Sequence, residues 1–173
     1  MTKPVTQWAP REQVDLTSLN TMAISARARY FVAVQSVEEL KRALDWAGAR
    51  QLPVQLLGGG SNLVFAGDYF GLVVHMALLG RRLEPIDNDT ARLVLQAGEN
   101  WHEAVLFAAR QGYRGIENLA LIPGTAGAAP VQNIGAYGVE LCDTLEAVTV
   151  LDRQDGRVRS LDASACCFGY RDS

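Results

Sequence analysis

The chain has 173 residues, of which 49% are hydrophobic and 20% are charged. These values are typical of a globular protein that buries a core as one domain or as two small ones. The net charge of −3 gives no support for a nucleic-acid partner, and no apolar run is long enough to cross a bilayer. We therefore expect no nucleic acid and no membrane among its partners.

Cysteine and histidine usage indicates the compartment and argues against a metal site. The cysteines, Cys142, Cys166 and Cys167, are odd in number and lack the C-x-x-C spacing. Residues 1–20 contain no apolar signal-peptide core. We therefore expect reduced thiols, no signal peptide and a cytoplasmic protein. The 2 histidines are too few and too scattered for a zinc site.

The first half of the chain alternates between strand and helix patterns. Residues 1–29 contain Pro4 and Pro10 and are expected to be mostly irregular. A buried strand is predicted at Tyr30–Val34, a capped helix from Ser36 to Gly48, and a short apolar strand at Val54–Leu57. The elements predicted after these are strands at Leu72–Met76, Arg81–Ile86 and Ala91–Ala97, a helix from Asn100 to about Gln111, and a hairpin of Glu146–Asp152 with Arg157–Leu161.

This order of elements predicts an α+β protein with two small subdomains, at residues 1–78 and 79–173. The boundary is only weakly marked in the sequence.

Residues Gly58–Asn62, here called the glycine loop, directly follow the strand at Val54–Leu57. Three successive glycines leave three N–H groups unshielded, and Ser61 and Asn62 add short polar side chains, which suits a phosphate. The spacing matches neither a Walker A loop nor the G-x-G-x-x-G fingerprint. An equally acceptable interpretation is a tight, flexible turn.

The stretch Gly115–Leu141 contains five glycines, five alanines and two prolines, but no lysine or arginine. An anion bound here would contact the main chain, helix N-termini, or the side chains of Gln132 and Asn133. We interpret it as a pyrophosphate-binding surface. Ile122–Gly127 has proline and glycine where a helix could begin, and Pro130–Asn133 can form a short turn with proline in its first position. The alternative is a structural crossover loop, although loops of this length are uncommon without a function.

The chain closes with Phe168–Ser173. Tyr170 and Arg171 could bind an anionic substrate there, because a guanidinium matches a carboxylate in two-point geometry. Composition alone favours a solvated polar tail.

These motifs together resemble the UDP-N-acetylenolpyruvoylglucosamine reductase family. The matching segments are GGGSNLVF, AGENWHEAV, GIENLALIPGTAGAAPVQNIGAYGVEL and FGYRDS, in this order. The resemblance implies a vanillyl-alcohol-oxidase-type (PCMH-type) fold that binds FAD between two α+β subdomains. The cofactor-binding residues that it implies are Gly58, Gly59, Gly60, Ser61, Asn62, Pro123, Gly124, Gln132, Asn133, Ile134, Gly135, Ala136, Tyr137 and Gly138.

The resemblance also implies a reaction. NADPH donates the hydride, and the enolpyruvyl group of UDP-N-acetylglucosamine enolpyruvate is reduced to give UDP-N-acetylmuramate for peptidoglycan synthesis. Arg171 matches the catalytic arginine, and Tyr170 and Arg171 are the substrate-binding candidates. The family's proton-donating serine, its glutamate and its third domain have no counterpart in this sequence, so we expect a truncated chain that does not turn over substrate alone.

Departures from the family pattern leave other functions open. Asn20-Thr21-Met22-Ala23 stands where the family usually has Asn-Thr-Phe-Gly, and Ala128-Ala129 stands where many members have two serines. The main alternative is a non-catalytic flavin-binding module. A third is another oxidoreductase of the same fold, such as an alcohol oxidase, but no histidine or cysteine here has a spacing that indicates covalent flavin attachment.

Overall fold

The computed structural model describes residues 8–173, which form two compact units. Of the described residues, the first unit contains 8–57 and Leu63–His75, and the second contains Gly58–Asn62 and Met76–Ser173. The glycine loop thus belongs to the second unit, although its neighbours on both sides in the sequence belong to the first. The predicted division into FAD-binding subdomains at residues 1–78 and 79–173 stays a prediction.

The first unit is a four-stranded sheet with one helix. Its elements are β1 (Arg11–Asp15), β2 (Arg27–Val34), α1 (Val37–Gly48), β3 (Val54–Leu57) and β4 (Tyr69–Met76). The strand order is β1-β2-β4-β3, with β1 antiparallel to β2 and β3 parallel to β4. The parallel pair requires a crossover connection, and the glycine loop is the first part of it, at the carboxyl end of β3.

The prediction that residues 1–29 are mostly irregular is wrong for part of that stretch. Strand β1 and a 3₁₀ turn at Thr17–Leu19 lie within it, and β2 begins at Arg27. Only Val14 of β1 is even partly buried, so the strand shows no hydrophobic alternation and depends on backbone pairing with β2. Residues 1–7 of that prediction, including Pro4, lie outside the described residues.

The predicted start of α1 is confirmed, with a small variation in its cap. The Ser36 hydroxyl accepts a hydrogen bond from the Glu39 N–H at 3.1 Å. The Glu39 carboxylate accepts one from the N–H of Gln35, one residue before the usual capping-box partner, at 2.8 Å. One face of the helix is turned to the interior through Leu40, Ala43 and Ala47, which are buried.

The second unit contains the remaining elements. They are β5 (Arg81–Pro85), β6 (Ala91–Leu95), α2 (Trp101–Arg110), β7 (Gly135–Ala136), β8 (Val139–Glu140), β9 (Ala147–Leu151) and β10 (Val158–Asp162). The strands pair as antiparallel hairpins, β5 with β6, β7 with β8 and β9 with β10. The strands predicted for β5, β6, β9 and β10 and the helix α2 are thus confirmed, with ends that differ by one or two residues.

A small hydrophobic core supports the second unit. The Trp101 indole N–H donates to the Leu119 carbonyl at 2.8 Å, so the ring satisfies its polar atom while its body is buried. The buried residues of this core are Trp101, Val105, Leu119, Ala129, Ile134 and Leu141. Four of them, Leu119, Ala129, Ile134 and Leu141, come from the stretch Gly115–Leu141, here called the small-residue stretch, which is therefore anchored along its length.

The helix that could begin within Ile122–Gly127 is absent, and this part of the described chain forms turns. Gly124 has φ +126°, which diverts the backbone from a helical path. The short turn predicted at Pro130–Asn133 is confirmed as a 3₁₀ turn at Pro130–Gln132 with proline in its first position.

Within residues 8–173, no helix combines the length and the apolar character that crossing a membrane demands.

The turn before β2 contains a strained alanine, and replacing it should change the stability of the protein. Ala23 has φ +50°, in the left-handed region that glycine favours. We expect Ala23→Gly to raise the unfolding free energy by about 1 kcal/mol and Tm by roughly 2–4 °C. Thermal unfolding followed by circular dichroism measures this. Ala33→Gly, at an exposed position of β2, is the control and should destabilise; stabilisation by both changes would contradict the assignment of strain to Ala23.

His75 on β4 predicts a pH dependence of stability. Its ring stacks on Phe31 with centroids 6.2 Å apart, and burial lowers the pKa of the imidazole below its usual value. The unfolded chain therefore takes up this proton first, so unfolding becomes more favourable as the pH falls through the ordinary histidine value of about 6.5. Denaturant titrations of the wild type and His75→Gln should show a shallower pH dependence in the variant; identical slopes would refute this role.

Candidate functional site

The glycine loop lies directly against Pro123–Gly127, here called the second loop. A Cβ added at Gly58 would lie 2.6 Å from the Thr125 hydroxyl oxygen, and one at Gly59 would lie 3.2 Å from the Gly124 Cα. A Cβ at Gly124 would in turn lie 3.3 Å from the Ser61 hydroxyl. Two segments more than sixty residues apart in sequence thus approach closely, because Gly58, Gly59 and Gly124 carry no side chain at the contact.

Backbone hydrogen bonds fix the second loop to the connection between β6 and α2. The Ala126 N–H donates to the Glu99 carbonyl at 2.8 Å, and the Gly127 N–H donates to the Ala97 carbonyl at 2.9 Å. At the start of α2, the Trp101 N–H donates to the Gly124 carbonyl at 3.1 Å. These bonds leave the second loop little freedom, so it gives the glycine loop a fixed surface to rest on.

The glycine loop presents main-chain donors that are not used inside the protein. Among the described residues, the N–H groups of Gly59, Gly60 and Ser61 have no backbone or side-chain acceptor. Gly60 has φ +67°, which turns the chain within the loop. Successive N–H groups of this kind can hold an anion without any basic side chain.

Asn133 has a different environment from the one that sequence reasoning expects. Its side chain is fully buried, and its amide donates to the Glu140 carboxylate at 2.8 Å and to the Gly169 carbonyl at 3.1 Å. Its amide oxygen accepts from the Cys142 N–H at 3.0 Å. With donors and acceptor all engaged inside the protein, this side chain is not free to bind an anion.

A second group of predicted residues lines an open pocket of about 440 Å³. Tyr137 and Tyr170 are 90% and 87% exposed, so both phenol rings are available for contact. The pocket is formed by the β7–β8 hairpin and the end of the chain, and its lining residues are Gly135, Ala136, Tyr137, Gly138, Val139, Glu140, Asp143, Tyr170 and Arg171.

Arg171 is the one basic side chain among the residues that line this pocket. Its guanidinium donates to the Gln132 side-chain oxygen at 3.1 Å, so the residue forms part of an ordered turn instead of the solvated tail that composition favours. The acidic residues of the lining are already bonded, Glu140 to Asn133 and Asp143 to the Glu140 N–H. The pocket therefore offers a cation whose charge is not neutralised by an ion pair with another described residue.

Sequence reasoning missed several supporting residues. Thr125, whose hydroxyl faces Gly58, was not among the candidates, and neither were Ala97 and Glu99, which hold the second loop. Ile134 was a candidate, but its side chain belongs to the hydrophobic core. One available signal was the Ala97-Gly98 pair, since glycine after a strand often marks a close backbone approach.

The contact between the two loops predicts that a change at Thr125 restores the stability lost by a change at Gly58. Gly58→Ala places its Cβ against the Thr125 hydroxyl, which we expect to lower the unfolding free energy by about 1–3 kcal/mol. Thr125→Ala removes that hydroxyl and leaves the Thr125 Cβ at 3.7 Å, an ordinary contact distance, so the double variant should recover much of the loss.

Chemical denaturation of the four proteins in this double-mutant cycle measures the coupling. Gly67→Ala is the matched control, because a Cβ there meets no atom within 4 Å. Strictly additive effects of the Gly58 and Thr125 changes would contradict the proposed contact.

Comparison with known proteins agrees with this geometry. Residues 28–162 match the family model described as an FAD binding domain. The chain is 49% identical over 167 residues to a UDP-N-acetylenolpyruvoylglucosamine reductase from Pseudomonas putida, covering 96% of this chain and 49% of that protein. It is 47% identical over 163 residues to the reductase of the same name from Pseudomonas aeruginosa, covering 94% and 48%. The chain thus spans about half the length of these curated relatives.

The comparison with solved structures also finds these reductases and other flavoproteins. The UDP-N-acetylenolpyruvylglucosamine reductase from Thermus caldophilus aligns with a TM-score of 0.73 at 32% identity, over 93% of this chain and 55% of that one. A VAO-type flavoprotein from Myceliophthora thermophila aligns with a TM-score of 0.59 at 14% identity, over 80% and 28%, which concerns the fold alone. The predicted α+β, vanillyl-alcohol-oxidase-type fold and the resemblance to these reductases are confirmed, and the chain belongs to the FAD binding domain family.

Proposed function

We propose that this chain is the FAD-binding part of an NADPH-dependent reductase that converts UDP-N-acetylglucosamine enolpyruvate to UDP-N-acetylmuramate in the cytoplasm. The observation that carries the proposal is the backbone contact between the glycine loop and the second loop, which leaves unbonded N–H groups at Gly59, Gly60 and Ser61. The names of the relatives supply the substrate class. The free cysteines agree with a reducing compartment.

The residues present fit an FAD cofactor. Gly58 and Gly59 pack so closely against the second loop that a Cβ at either position would meet it, and the N–H groups of Gly59, Gly60 and Ser61, which have no acceptor among the described residues, can donate to a pyrophosphate. Gly124, and Pro123 next to it, would support the glycine loop beside the pyrophosphate. The small residues of the β7–β8 hairpin, Gly135–Gly138, would let the flavin ring lie close to the backbone.

The bound FAD would supply hydride transfer from NADPH to the enolpyruvyl double bond. The chain's own contribution to that step is orientation and charge. Arg171 would bind the carboxylate of the enolpyruvyl group through two parallel N–H donors. Held by Gln132, the guanidinium is placed in advance, so it stabilises negative charge that develops on the carboxylate without a further reorganisation.

Tyr137 would form a second wall for the substrate. Its φ of +53° lies in the left-handed region and holds the ring outward from the hairpin turn. This orientation explains an exposed aromatic side chain beside the cation, where a ring can pack against a sugar or a flavin edge.

The test is a chimaera in which residues 1–173 replace the matching half of the Pseudomonas putida reductase. We expect it to retain FAD and to consume NADPH only when the enolpyruvyl substrate is present. FAD retention without substrate-dependent NADPH consumption would instead support the alternative, a flavin-binding module without catalysis. Absence of FAD would overturn both.

Arg171→Lys in the active chimaera tests the role of the guanidinium. Lysine keeps the charge but loses the two-point geometry, so we expect kcat/KM for the enolpyruvyl substrate to fall roughly ten- to hundred-fold while FAD content stays constant. Arg157→Lys, at an exposed position before β10, is the control. Unchanged kcat/KM in Arg171→Lys would refute the role of Arg171.

A further inference from the structure

The three consecutive residues that follow Pro130, at positions 131–133, form hydrogen bonds with residues 169–173 in antiparallel order. The Asn133 amide donates to the Gly169 carbonyl, the Arg171 guanidinium donates to the Gln132 side chain, and the Ser173 hydroxyl donates to the Val131 carbonyl at 3.1 Å. The terminal turn itself is closed by mutual backbone hydrogen bonds between Gly169 and Asp172.

These three contacts differ in their environment. The Gln132 and Ser173 contacts are exposed to solvent, where a hydrogen bond competes with water. The Asn133 contact starts from a fully buried side chain, and a buried amide that loses its partner costs about 1–3 kcal/mol. The Asn133 contact is therefore the one that decides where the terminal turn lies.

Asparagine suits position 133 because of both its backbone conformation and its side-chain hydrogen bonds. Its φ of +41° and ψ of +65° lie in the left-handed region, which asparagine tolerates better than most residues. Its network also fixes the orientation of the amide, because the Glu140 carboxylate and the Gly169 carbonyl require a donor and the Cys142 N–H requires an acceptor.

We propose that Asn133 is a positioning residue: by holding the Gly169 carbonyl, it fixes the terminal turn and so presents Arg171 beside Gln132 at the pocket. The contribution of Arg171 to a reaction rests on the proposed function, but the control of its position by Asn133 does not. Asn133 thus acts on the site through Arg171 instead of through the cofactor.

Asn133→Asp is the sharpest test, since it keeps the size and the left-handed tolerance of asparagine while replacing the amide donor with a carboxylate. That carboxylate would face the Glu140 carboxylate and the Gly169 carbonyl, both acceptors. Asn133→Gly is a milder second variant that removes the side chain and relieves the backbone. The control is Asn20→Asp in the first unit, where a buried asparagine donates to the Leu16 and Ile24 carbonyls in a similar network.

The primary measurement is ¹⁵N relaxation of the 173-residue chain, which reports backbone order on the fast timescale. We expect order parameters at Gly169–Asp172 to fall below about 0.6 in both Asn133 variants, with helix α2 unchanged near about 0.85. The Asn20 variant should leave the terminal turn as ordered as in the wild type. Lowering the pH should restore order in Asn133→Asp, because a protonated carboxyl can donate again.

The second measurement uses the active chimaera. We expect Asn133→Asp to lower kcat/KM for the enolpyruvyl substrate roughly ten- to hundred-fold with FAD content unchanged, and Asn20→Asp to leave it within about twofold. A terminal turn that stays ordered in both Asn133 variants overturns the proposal. An inactive wild-type chimaera would count against the proposed function only, because the relaxation data decide the role of Asn133 on their own.

Discussion

The glycine loop can rest on the second loop only because Gly58 and Gly59 contribute no Cβ atoms to the contact. Thr125 Oγ1 already occupies the space that a side chain at Gly58 would need, and the Gly124 backbone does the same for Gly59. This constraint places main-chain N–H groups of the glycine loop at a surface that another part of the chain holds fixed. A site made this way would bind an anion through backbone dipoles, in agreement with the lack of lysine and arginine in the 27 residues from Gly115 to Leu141.

The connection between β6 and α2 fixes the position of the second loop. Its hydrogen bonds to Ala97, Glu99 and Trp101 attach it to the β6–α2 connection, and the Trp101 ring anchors that connection in the core. Further along, Asn133 and its partners link the β7–β8 hairpin to the end of the chain. The small-residue stretch is therefore a framework held by internal hydrogen bonds, in which the Asn133 side chain is fully used.

The sequence predicted those features that depend only on neighbouring residues, such as helix caps and short turns. Ser36 and Asn100 cap the two helices as expected, and Pro130 begins a short turn, because each signal acts within three or four residues. The edge strand β1 was not predicted, because it has almost no buried side chains and is stabilised by backbone pairing with β2. The helix that could begin at Ile122–Gly127 does not form, because the N–H groups of Ala126 and Gly127 donate to a distant segment.

The site was predictable in composition but not in detail. The glycines at 58–60 and the lack of basic residues near Gly124 both indicated backbone binding of an anion. The burial of Asn133 was not predictable, because its partners Glu140, Cys142 and Gly169 become neighbours only after folding. The role of Thr125 was hidden for the same reason: its partner lies 67 positions earlier in the chain.

The most direct measurement is a titration of the ¹⁵N-labelled chain with FAD, followed by amide chemical shifts. A cofactor pyrophosphate held by the two loops predicts saturable shifts at Gly59, Gly60, Ser61 and Gly124, with Gly156 in the β9–β10 turn unchanged. Binding with shifts that avoid the glycine loop, or no binding at all, would contradict the claim that this backbone contact forms the cofactor site.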